Sequence, residues 1–236
     1  MAERIEVQVP DGTADALLFR ADGPTVVFYM DAGGLRPAMT AMAERLQAAG
    51  YTVLQPNLYW RSGPFAPFDF GTVFTDPAER DRLFGLLRTV RAADVVADTR
   101  AWLDHLGIER AGTVGYCLGG RAAFVVASAL GERIAAGASI HGGGLVTDAD
   151  DSPHRGAAGV RGELYFAVAD HDNGCTAAHQ ATLREALDAA GVRYQLELYE
   201  GARHGFAVPD APVFDAAAAE RHYERVLALF GRALPR

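Results

Sequence analysis

Eight short apolar runs rich in β-branched and aromatic residues recur along the chain. They are Ile5–Val9, Ala16–Phe19, Thr25–Met30, Thr52–Gln55, Gly112–Tyr116, Ala135–Ile140, Glu163–Val168 and Tyr194–Tyr199, and their length and composition predict strands. Apolar positions spaced three and four apart predict helices over Pro37–Ala49, Arg82–Leu106, Ala122–Leu130, Thr176–Ala190 and Phe214–Leu234. The first two strands flank Asp11-Gly12 and suit a hairpin; thereafter strand and helix alternate, which favours parallel strands joined by crossovers. The expected fold is α/β, a mostly parallel central sheet of about eight strands flanked by helices. Ser62–Phe74 and Val146–Val160 are irregular. With no repeat or linker dividing the chain, residues 1–236 are expected to form one domain.

Half of the 236 residues are hydrophobic and 22% are charged, the balance of a self-sufficient globular core. A net charge of −8 gives no overall attraction to nucleic acid or to an anionic membrane. The N-terminus MAERIEVQVPDG has no basic stretch leading into an apolar run, and no apolar segment approaches the ~20 residues of a spanning helix. Cys117 and Cys175 are the only cysteines, too few for a disulfide framework and suited to a reducing compartment. A cytoplasmic location is therefore expected.

Gly115-Tyr116-Cys117-Leu118-Gly119-Gly120 follows a predicted strand and precedes an Ala/Val-rich helix, the context of a nucleophile elbow with cysteine in the reactive position. The glycines relieve crowding at a sharp turn. The free N–H groups of a helix N-terminus favour a thiolate and offer an oxyanion donor, first of all Leu118. A buried cysteine in a tight turn is the plainer alternative. His204, in Gly201-Ala202-Arg203-His204-Gly205-Phe206, follows the last strand and suits a general base. Asp170-His171-Asp172 follows the strand before it and offers two carboxylates, either of which could orient the histidine. No second ligand cluster accompanies these residues, so neither a metal nor any other cofactor is expected.

Through the elbow Gly115–Gly120, the segment Leu164–Asp172 and the segment Glu200–Ala207, the chain resembles the dienelactone hydrolase family of α/β-hydrolases. The resemblance implies the α/β-hydrolase fold with a Cys-His-Asp triad, and it aligns the acid with Asp172. It implies a second oxyanion donor at Ala32, in Tyr29-Met30-Asp31-Ala32-Gly33-Gly34, and places on Asp31 an acid that pairs with the thiol before substrate arrives. It also puts a substrate-carboxylate contact on Arg80, near Phe84. Phe84 and Val208 stand where family members acting on dienelactone carry a tyrosine and an arginine. Arg203 or Arg61 are the candidates to compensate, and Tyr59, Trp60, Phe65, Phe68 and Phe84 are expected to shape the pocket. His141-Gly142-Gly143-Gly144 looks like an esterase oxyanion motif but follows the nucleophile, and reads as a strand-end loop.

Together these readings predict a hydrolase of an ester or lactone working through an acyl-thioester, with a small-molecule substrate as partner and a monomeric or homodimeric state. A thioesterase or carboxylesterase of the same fold is a close alternative. A ligand-binding or thiol-sensing protein, with Cys175 as a second thiol, is a distant one.

Overall fold

A computed structural model describes residues 2–234. Its eight strands are β1 (Glu3–Val9), β2 (Gly12–Phe19), β3 (Thr25–Tyr29), β4 (Thr52–Pro56), β5 (Ala111–Tyr116), β6 (Ile134–Ile140), β7 (Glu163–His171) and β8 (Tyr194–Arg203). They form one sheet in the order β1-β2-β4-β3-β5-β6-β7-β8. β1 and β2 make the hairpin read from Asp11-Gly12, with Val9 opposite Gly12, and β2 also runs antiparallel to β4. The remaining pairs are parallel.

Residues alternate between the two faces of the sheet, as a strand's period of two requires. On one face Phe28, Val114, Tyr116, Ala138 and Ile140 pack with helices α1 (Pro37–Ala48) and α6 (Ala216–Ala233). On the other, Val27, Tyr29, Phe166 and Val168 pack with α3 (Ala92–His105), α4 (Leu118–Ala129) and α5 (Ala177–Ala189).

The single helix expected over Arg82–Leu106 is two helices. α2 starts earlier, at Pro77, and ends at Leu87, and α3 starts at Ala92. Asp76 caps α2 by accepting from the Ala78 and Glu79 N–H groups, and Pro77 occupies its first turn. Of α2 only Leu83 is buried, whereas α3 buries Val95, Thr99, Trp102 and Leu103. The two apolar stripes belong to different surfaces, and the chain breaks at Arg88–Arg91 to serve both. Helix α4 also begins earlier than its apolar stripe implied, directly after Cys117. The excursion 146–160 contains a 3-10 stretch, Pro153–Gly159.

The chain leaves β3 to form β4 on one side, then crosses back to form β5 on the other. The ends of β3 and β5 therefore flank a topological switch point, where open α/β sheets leave a crevice beyond the strand ends. Cys117 and the Asp31–Gly34 loop both emerge there.

Candidate active site

Cys117 sits at φ 53°, ψ −112°, between the last residue of β5 and the first of α4. The neighbouring glycines are demanded by contact. A Cβ on Gly115 would fall 1.9 Å from the Gly119 carbonyl oxygen, and one on Gly119 would fall 2.2 Å from that of Tyr29. The Cys117 N–H donates to Ile140 O at 3.1 Å, while the Cys117 carbonyl accepts from Gly120 and Arg121. The strained residue is thus held by β6 on one side and by its own helix on the other.

The candidate acid and base follow strands that run further than their apolar runs. β7 continues to His171 and β8 to Arg203, and after a register shift these two residues pair across the sheet. Asp172 and His204 are the next residue of each strand, so the pairing delivers them side by side: His204 Nδ1 donates to Asp172 Oδ2 at 2.7 Å. Asp172 also accepts from Gly174 N–H at 2.7 Å. Asp170 instead accepts from the Gly201 N–H of β8 at 3.0 Å, so of the two carboxylates Asp172 is the one hydrogen-bonded to His204.

Burial opposes a charge on His204, but Cys117 and Asp172 outweigh it and raise its pKa from 6.5 to about 10. With Nδ1 taken by Asp172, Nε2 is the ring nitrogen left for the thiol. Cys117, His204 and Asp172 are thereby brought together. Cys175 is buried, and burial followed by the charge of Asp172 pushes its thiol up to about 11, the condition of an inert cysteine.

The Ala32 carbonyl accepts from the buried Tyr59 hydroxyl at 3.0 Å, and Tyr59 in turn lies near enough to Cys117 for that residue to help burial raise its pKa. Among the described residues neither the Ala32 N–H nor the Leu118 N–H finds an acceptor. Asp31 departs from the expectation that it pairs with the thiol. It is buried against Arg36, which donates to both its oxygens, and it also accepts from Gly33 N–H at 2.8 Å. A bidentate guanidinium satisfies the carboxylate more fully than a thiol would.

A cleft of about 680 Å³ opens at Cys117, lined by Phe84, Leu87, Val90, Val95, Leu118, Ala122 and Val125, with Gly143 and Gly144 at one side. Its charged lining residues are Arg88 and Arg121, whose guanidinium groups have no ion-pair partner among the described residues. Arg121 lies one helical turn beyond Cys117, a spacing readable in the sequence, and its guanidinium stands beside Gly144.

The arginines singled out from the sequence lie elsewhere. Arg80 is exposed on α2 and Arg203 is exposed at the end of β8, and neither lines the cleft. Arg61 is held bidentately by Asp98 and also by Asp11. Phe84 does line the cleft, but Trp60, Phe65 and Phe68 border a separate cavity with Gly33 and Arg36. The His141 loop, read as a plain strand end, contributes more than that: Gly143 adjoins His204, and the His141 ring packs against that of His204.

The model of the dienelactone hydrolase family matches residues 15–234, nearly the whole chain. The chain belongs to the dienelactone hydrolase family. A carboxymethylenebutenolidase of Pseudomonas sp. is 29% identical over 221 residues, covering 92% of this chain and 87% of the relative. Carboxymethylenebutenolidase 1 of Cupriavidus pinatubonensis is 29% identical over 214 residues, covering 87% and 85%. Among solved structures, a candidate dienelactone hydrolase of Klebsiella pneumoniae has the same fold, with a TM-score of 0.84 at 21% identity over 98% of both chains. Within this dienelactone hydrolase family member no helix of the described residues is long and apolar enough to cross a membrane.

Proposed function

We propose that this member of the dienelactone hydrolase family hydrolyses an ester or lactone by covalent catalysis through Cys117. The observation that carries the reading is the Asp172–His204 hydrogen bond set beside Cys117 on a strained strand-to-helix turn. Cys117 attacks the acyl carbon as a thiolate, forming the Sγ–C bond as the carbonyl electrons move onto oxygen. The Leu118 and Ala32 N–H groups receive that oxyanion. His204, held protonated by its neighbours, gives its proton to the departing oxygen as the C–O bond breaks. Now neutral, it takes a proton from water, which attacks the thioester and releases the thiolate. Asp172 fixes the tautomer and stabilises the imidazolium throughout.

In a chain of net charge −8, a cleft whose charged side chains are two unpaired arginines favours an anionic substrate. Its apolar wall favours a hydrophobic body of modest size. The substrate class this supports is an ester or lactone that carries an acidic group on an apolar frame.

The deciding experiment is p-nitrophenyl acetate hydrolysis with acid-quenched mass spectrometry. Wild type should turn over and trap an acetyl group on Cys117, whereas Cys117→Ala should do neither. Undiminished hydrolysis by Cys117→Ala would sink the assignment.

A further inference from the structure

We propose that Arg36 is a positioning residue for acyl transfer, holding the Ala32 amide in place over Cys117 by tying the loop after β3 to the loop after His204. The inference rests on the reading of Cys117 as nucleophile and Ala32 as oxyanion donor.

Arg36 precedes α1 and its side chain is only 10% exposed. One guanidinium serves two carboxylates. Nη1 and Nη2 donate to Asp31, the second at 2.9 Å, and Nε and Nη2 donate to Asp210 at 2.7 and 2.9 Å. The group also stacks on Phe70, with 4.2 Å from Cζ to the ring centroid. Asp31 is the residue before Ala32, and Asp210 lies in the segment between His204 and α6. The Ala32 peptide is therefore gripped from two directions: through Asp31 by Arg36, and through its own carbonyl by Tyr59.

As a device for stability alone the trio is poor, because desolvation of the buried Arg36–Asp31 pair offsets most of its attraction and Asp210 is partly exposed. What the trio does supply is a fixed distance between two loops that the sheet does not itself hold together. A planar fork with donors on both edges makes two hydrogen bonds to each of two carboxylates; the three donors of a lysine cannot make those four bonds. An oxyanion donor is sensitive to that distance, since displacements of an ångström cost about 100-fold in rate.

The two reactions of the thiol separate this role from a general one. Acyl transfer from p-nitrophenyl acetate needs both the thiolate–imidazolium pair and the oxyanion donors. Alkylation by iodoacetamide forms the Sγ–C bond with loss of iodide and develops no oxyanion, so it needs only the pair.

The test measures both reactions in wild type, Arg36→Gln and Asp210→Asn, with thermal unfolding alongside. Arg36→Gln should lower kcat for p-nitrophenyl acetate by about 100-fold, with KM and the Cys117 alkylation rate both within about twofold of wild type. Asp210→Asn removes one of the two ties at a partly exposed carboxylate, and should lower kcat by about 10-fold with the same unchanged alkylation. It keeps the test decisive if Arg36→Gln does not fold. Alkylation falling in step with kcat, or an unchanged kcat, would overturn the clamp alone. Absence of acetylated Cys117 in quenched wild-type reactions would overturn the nucleophile reading and the clamp with it.

Discussion

The imidazole of His141 stands edge-on to that of His204, with ring centroids 5.2 Å apart. His141 is 1% exposed, adopts φ 38°, and among the described residues neither of its ring nitrogens is hydrogen-bonded. Besides Cys117 it is the one described residue other than glycine with positive φ. That conformation at the end of β6 turns its ring toward Tyr116 and Phe206, so the protonated histidine of the site rests against a neutral one.

Acid should therefore destabilise the fold through its interior histidines. Burial, then the charges of His204 and His222, holds the His141 pKa well below 6.5, and burial lowers that of His222 to about 3. Both groups bind protons more readily unfolded than folded, so stability falls as pH drops below about 6.5, and for His222 the fall continues to about 3. Thermal unfolding followed across this range should show a shallower decline in His222→Phe than in wild type. Parallel curves would refute the contribution.

His204 carries the opposite sign. Its folded pKa, about 10 against 6.5 unfolded, means that its stabilising contribution is complete below pH 6.5 and is lost as pH rises through 10. Titration of the imidazole C–H resonances by NMR should place the His204 midpoint near 10 in wild type, and lower it in both Cys117→Ala and Asp172→Asn. A midpoint near the ordinary value in all three would show that the thiol and the carboxylate do not hold the proton.

The cleft arginines should discriminate by charge. Arg121→Gln should raise KM for an ester bearing a carboxylate by about 10-fold and leave a neutral ester of the same size within about twofold, with Arg88→Gln acting in the same direction. Exposed Arg80→Gln should change neither. Equal losses on charged and neutral substrates would show that Arg121 serves packing instead.

How the sequence maps onto these features follows from the range of the forces involved. The hairpin at Asp11-Gly12, the alternation of strand and helix, and the elbow around Cys117 are local: each depends on turn chemistry, periodicity or close approach of backbone within a few residues. Asp172 and His204 were legible as candidates because they follow strands in a known order, and Arg121 was open to discovery because one helical turn separates it from Cys117. The break between α2 and α3 was not legible, since Leu83 and Val95 belong to different buried surfaces and a periodicity search joins them.

What the sequence by itself determined is the set of elements and the reactive residue types at their ends. The tertiary structure decided how those residues pair. The register shift that sets His171 opposite Arg203, and with it Asp172 beside His204, depends on how two strands meet. The capture of Asp31 by Arg36, with Asp210 on the far side of the same guanidinium, joins loops distant in the chain. The exclusion of Arg80 and Arg203 from the cleft likewise depends on where α2 and β8 lie. Such contacts depend on three-dimensional proximity, and no local pattern of residues encodes which arginine reaches which carboxylate.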